Sequence, residues 1–425
     1  MSNFDTIILD NGLKIYLYSD TRRHSIFFDF ITFCGGMSKD FITDGNEVHL
    51  PDGLAHILEH YIVECNDDGN FLKFLGGKQM NTNASTGPTS TEFYFETVQD
   101  VALGIKTILN AVNNVTFTDE KLESLKGPIL QEIRGKMNNK YYHLNRLMME
   151  DIFNDISFRD VGGTLDEISN TTISDLDTFY RAFYRPDNQC IVVAGNFNKE
   201  EILNEIKSFY NNRSFDKVNI EMIKHNETTK VNKVKDVLYF PTPREYRVVY
   251  YKINVSSFSN VDLLDLSFYV NCFFNNFFGQ TSKLYKKLID EGIITDTMNC
   301  GVRQIEDYII LSIGNYTSNG DYFTKNVIDT VSKMNSFSKK YFELDKKGCI
   351  LNLIIRDENI FSMINPFIYN LVNLNYPYLD KVEDLYRLSY VDYVSTIKRL
   401  DFSNYCDIKI IDDDKEKKRN WFFSF

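Results

Sequence analysis

The chain has 425 residues, 43% of them hydrophobic and 14% aromatic, enough for two or more domains with sizeable cores. Its net charge of −12 argues against nucleic acid or an anionic membrane as a partner. No apolar run reaches the roughly 18 uninterrupted residues of a membrane span, and the opening MSNFDTIILD lacks the basic-then-apolar pattern of a secretion signal. Seven scattered cysteines, none spaced CxxC, suit a reducing, cytoplasmic setting and speak against a thiolate metal site. The wealth of Asn, Ile, Lys, Phe and Tyr fits an AT-rich coding sequence of bacterial type.

Residues 7–19, IILDNGLKIYLYS, alternate about an Asn-Gly turn and predict a hairpin. His24–Gly36 is expected as a long strand, and 37–52 as a polar loop. The segment Gly53–Glu64, GLAHILEHYIVE, reads as a buried helix with one polar stripe, which Asp52 can cap. His56 and His60 stand one turn apart on that stripe, with Glu59 beside them. Two imidazoles spaced i, i+4 converge on one metal ion, and the adjacent carboxylate can take a proton from water. HxxEH is the inverted zinc-peptidase signature.

A short helix stopped by Gly76-Gly77 comes next, then strands at 80–84 and 91–95 around a Gly87-Pro88 turn. A strand beside a metal site can take an extended peptide at the sheet edge. Asn83 and Thr86 sit on that strand and its turn, and are equally ordinary turn formers. Helix 100–113 precedes a second helix capped by Thr118, which Pro128 should kink or restart. Glu132, one turn beyond Pro128, is a candidate third ligand, since two His and one carboxylate leave a fourth zinc position for water. A further helix ends near Asn154, then a loop and helix over 162–184 lead to the buried strand 188–195 and the closing helix 198–210.

The polar stretch 211–236 reads as an inter-domain linker. The second half holds strand 246–255, helices over 261–278 and 282–292, strand 308–316, several helices between 322 and 400, and a helix followed by a strand over 389–411. Its final helix–strand pair echoes that of the first half, which points to two similar α+β domains. The tail DDDKEKKRNWFFSF is a solvated terminus or a docking peptide.

The segments GLAHILEH (Gly53–His60), NAST (Asn83–Thr86), ILQEIR (Ile129–Arg134), GGTLDEIS (Gly162–Ser169), FYRPDNQCIVVAG (Phe183–Gly195) and GQTSKLYKKLIDEG (Gly279–Gly292) resemble the insulinase/pitrilysin-type zinc peptidases, or inverzincins. The likeness keeps the family's order over nearly the whole chain and is closest to its two-domain bacterial members. It implies a metal-binding insulinase-like domain at 1–215, a linker at 216–236 and a C-terminal insulinase-like domain at 237–425 without the metal motif. It implies Zn2+ on His56, His60 and Glu132, Glu59 as general base, and an extended peptide along Asn83, Ala84 and Thr86. It also implies a homo- or heterodimer. Two departures stand out. Leu125 replaces a supporting Glu seven residues before Glu132, and Ile289 and Thr295 stand where the family carries an Arg and a Tyr that help the oxyanion. A related subunit would supply that pair; the rival expectation is a weak or inactive peptide-binding subunit of such a heterodimer.

Overall fold

A computed structural model of the chain describes residues 4–64, 69–156, 160–211, 213–215, 217–223 and 225–412. Strands β1 (Asp5–Ile8), β2 (Lys14–Ser19) and β3 (Ile26–Thr32) come first, then the short pair β4 (Asp40–Thr43) and β5 (Asn46–His49). Helices α1 (Leu54–Glu64) and α2 (Phe71–Gly77) precede the hairpin β6 (Asn81–Thr86) and β7 (Thr91–Thr97). Helices α3 (Val101–Asn113), α4 (Asp119–Lys136), α5 (Lys140–Ile152), α6 (Leu165–Asn170) and α7 (Ile173–Phe183) lead to β8 (Gln189–Gly195), α8 (Lys199–Tyr210) and β9 (Ile220–Met222). The second half runs β10 (Lys235–Tyr239), β11 (Tyr246–Asn254), α9 (Asn260–Phe277), α10 (Lys283–Asp290), β12 (Asn299–Ile305) and β13 (Tyr308–Tyr316). It ends with α11 (Gly320–Lys333), α12 (Lys339–Arg356), α13 (Ile360–Leu374), α14 (Val382–Arg387), α15 (Tyr390–Arg399) and β14 (Tyr405–Ile411).

The fold is α+β and built twice. One sheet has the order β1-β2-β8-β3-β7-β6, the other β10-β14-β11-β13-β12. In each, a single parallel pair (β2 with β8, β10 with β14) adjoins an otherwise antiparallel sheet. The hairpins β6–β7 and β12–β13 take the same edge position. The internal repeat read from the last helix–strand pair therefore extends to the strand order.

The chain divides into two compact units: Met1–Lys136 with Arg159–Lys224 and Ile354–Asp380, and Met137–Phe158 with His225–Leu353 and Lys381–Phe425. In the first unit the alternation of β3 serves both sheet faces. Phe28 and Phe30 enter a core with α1, α3, α4 and α7, while Phe27 and Ile31 pack under Ile360, Ile364 and Phe367 of α13. In the second unit, Val249, Tyr251, Leu311 and Ile313 meet α9, α11 and α15, and α5 lies against β10 and β14.

Several elements differ from expectation. Residues 37–52 are not an irregular loop: β4 and β5 form a hairpin because Asp44 and Gly45 both take positive φ, the geometry of a tight two-residue turn. Part of the supposed linker, β9, pairs with β4. Helix α4 runs on through Pro128, whose missing N–H deprives only the carbonyl of exposed Ser124. β12 was not anticipated, since all its residues but Ile305 are exposed or half-buried and they show no apolar alternation. The charged tail from 413 onward lies outside the described residues.

Candidate metal centre

Two glycines seat α1. Gly53 has φ +87°, and a Cβ there would lie 2.7 Å from Ile168 Cδ1 and 2.8 Å from Gly163 Cα. Gly163, itself at φ +74°, would meet Gly53 Cα at 3.0 Å. The GGTLDEIS segment thus packs backbone to backbone against the start of the helix, and only glycine permits both the conformation and the approach. Asp52 just before pairs with Lys39 at 2.7 Å, and its backbone N–H donates to Glu167 Oε1 at 3.1 Å. The apolar side of α1 (Leu54, Ile57, Leu58, Tyr61, Ile62) is fully buried, so its rotation about its own axis is fixed.

That rotation turns His56 and His60 toward α4. Leu122, Leu125, Ile129 and Ile133 bury the inner face of α4 in the same core, which presents Glu132 to the histidines. Glu132 Oε2 lies 3.7 Å from His56 Nε2 and 3.7 Å from His60 Nε2. The imidazole rings stand edge to face, 4.7 Å apart. Among the described residues this is the group of three whose ligand atoms all fall within 4.8 Å of one another. Two donors bound to zinc at tetrahedral angles would be roughly 3.3 Å apart; the donor types suit that ion, and Glu132 Oε2 stands 3.7 Å from each histidine, somewhat wider than that spacing.

The electrostatics suit a cation. His56 is held down to about 4, first by burial and then by the neighbouring His60 and Lys136 charges, against the pull of Glu132; it therefore stays neutral with a free lone pair at neutral pH. Its Nδ1 is buried without a hydrogen-bond partner. Burial raises Glu132, but the Lys136 ammonium, 2.8 Å from Oε1, and the two histidines outweigh it and keep the carboxyl below its ordinary value. Glu59 is raised by burial, opposed by the Thr86 hydroxyl, which donates to its Oε2 at 2.6 Å. A carboxylate with a raised pKa beside a metal cluster is suited to receive a proton.

The three residues of the expected peptide segment are placed differently. β6 is an edge strand, hydrogen-bonded to β7 alone within its sheet. Ala84 packs toward the core, and Thr86, on the same face by alternation, reaches Glu59. Asn83 is exposed and falls on the opposite face. Leu125 is a core residue, 3% exposed. In the second unit Ile289 packs against the core and Thr295 is exposed. α9, which follows the central strand of the second sheet as α1 does in the first unit, contains no histidine. Sequence reasoning missed Lys136 and Glu64, although each stands four residues beyond a candidate ligand, the spacing at which helical side chains meet.

The chain thus folds as two α+β units, with HxxEH on the first helix of one of them. A family model described as the peptidase M16 inactive domain matches residues 170–344. His56, His60 and Glu132 lie wholly N-terminal to that match. An uncharacterized zinc protease of Bacillus subtilis, YmfH, is 25% identical over 323 residues, 75% of each chain. A putative M16-like peptidase from Alicyclobacillus acidocaldarius superposes with a TM-score of 0.86 at 21% identity, covering 96% of this chain and 98% of that one. The periplasmic protease PqqL from Escherichia coli superposes at 0.76 with 15% identity, and there the chain spans 48% of its relative. The chain is thus similar in sequence to M16-type zinc proteases, the insulinase/pitrilysin type, and shares the fold of M16-like peptidases. No described helix is long and apolar enough to cross a membrane.

Proposed function

We propose that the chain is a zinc-dependent endopeptidase acting on small or extended peptides. The observation that carries this reading is the convergence of His56 Nε2, His60 Nε2 and Glu132 Oε2, with the half-buried Glu59 on the same helix as the histidines. Zinc bound there would supply a Lewis acid that acidifies water and polarises a peptide carbonyl. Glu59 takes the proton of the attacking water and returns it to the departing amine. Thr86 holds one Glu59 oxygen and so leaves the other for that proton. The free edge of β6 hydrogen-bonds the extended backbone of the substrate, placing a scissile bond near Glu59.

The reading includes a dimer with a related insulinase-like subunit. Ile289 and Thr295 cannot donate to an oxyanion as Arg and Tyr do, and a partner would supply that pair. It also includes a reducing, cytoplasmic setting, supported by free cysteines at 34, 190, 272, 300, 349 and 406. The same Ile289 and Thr295, with Leu125, favour a second reading: a peptide-binding subunit with weak or no activity. Zinc content and hydrolysis separate the two. About one zinc per chain is expected, with peptide cleavage in the wild type and zinc without cleavage in Glu59→Gln. A fully active Glu59→Gln would refute the base assignment, and a zinc-free wild type, after zinc is supplied, would favour the binding subunit.

A further inference from the structure

His56 and His60 are held by different means. His56 is 9% exposed and fixed by packing, its Nδ1 without a partner. The His60 side chain is 24% exposed, so packing alone does not set its ring. Its Nδ1 instead faces Glu64 Oε1 at 3.4 Å, one helical turn further along α1. Its Nε2 faces Glu132. A neutral imidazole has one N–H, and its hydrogen bond decides which nitrogen keeps the lone pair. A carboxylate at Nδ1 holds the proton there and aims the Nε2 lone pair into the cluster.

We propose that Glu64 is a positioning residue of the metal centre: it locks His60 in the Nδ1–H tautomer and raises the donor strength of Nε2. The inference rests on the zinc-site reading. Two further observations bear on it. Leu125 is apolar and buried, so α4 offers no carboxylate at that position, and the outer support comes from α1 itself. Glu64 also lies in the last described turn of α1, where a negative charge opposes the helix dipole, so the helix gains nothing from it.

The test compares Glu64→Ala and Glu64→Gln with the wild type, first metal-free and then titrated with zinc against a chromophoric chelator. In the metal-free protein, side-chain nitrogen NMR shifts of His60 report its tautomer directly. Wild type and Glu64→Gln, whose amide oxygen still accepts the Nδ1 proton, should show the Nδ1–H form; Glu64→Ala should show a mixture. Zinc affinity should fall about 10-fold or more in Glu64→Ala and less in Glu64→Gln. The unfolding midpoint of metal-free Glu64→Ala should match the wild type, because the side chain is exposed and alanine favours helix. An unchanged tautomer, or an unchanged zinc affinity, in a folded Glu64→Ala overturns the proposal. A wild type that takes no zinc instead refutes the zinc reading, and the metal-free tautomer alone then decides the role of Glu64.

Discussion

Acidification should loosen the first unit through His56 in particular. Its ordinary value of 6.5 falls to about 4 in the fold, chiefly through burial. Below 6.5 the unfolded chain takes up a proton that the folded site refuses, so stability falls as the pH drops from 6.5 to about 4 and levels off beneath it. At about 1.4 kcal/mol per pH unit, the full drop amounts to about 3 kcal/mol. His56→Gln abolishes this contribution while leaving a polar group in the same place. Because the chain has two units, native-state hydrogen exchange of the α1 amides is the suitable assay: it reads local opening without assuming a two-state transition. In metal-free protein, the wild type should lose about 3 kcal/mol more protection than His56→Gln between pH 7 and pH 4. Parallel pH profiles for the two proteins would refute the claim that His56 is held neutral by burial.

Other consequences follow from the same geometry. Glu132→Gln should lower zinc occupancy well below one per chain, measured by metal analysis after dialysis, since a neutral amide is a poor ligand for the cation. Gly53→Ala should cost more than about 2 kcal/mol, because a methyl group at φ +87° meets Gly163 and Ile168 under 3 Å; an unchanged thermal midpoint would contradict the backbone contact. In the second unit, Lys252 and Glu227 pair at 2.6 Å with side chains 0% and 3% exposed. Glu227 also accepts from the backbone N–H groups of Asn154, Asp155 and Ile156. Glu227→Ala takes the counter-charge from the Lys252 ammonium, which keeps only the carbonyls of Ile152, Thr228 and Lys230, and should cost about 3 kcal/mol by denaturant unfolding. Lys252→Met added to it should recover part of the loss, and no recovery would locate the cost in the backbone contacts instead.

Much of this molecule is written in local pattern. The Asn11-Gly12 hairpin, the Thr172 and Asn198 helix caps and the i, i+4 histidines all depend on residues a few positions apart, which local sterics and hydrogen bonding decide. The repeat, too, was visible in part through its final helix–strand pair. Tertiary structure decided what amphipathic periodicity cannot encode, namely which apolar face meets which. α5 and α13 are both ordinary amphipathic helices; yet α5 belongs with the second unit's sheet and α13 with the first's. β9 became a strand by finding the exposed edge of β4, not from its own composition. Glu132 is chemically one glutamate among many in a chain 25% charged. It joins His56 and His60 because Leu125, Ile129 and Ile133 seal α4 into the core that α1 shares, and burial of that apolar face fixes where its polar face points.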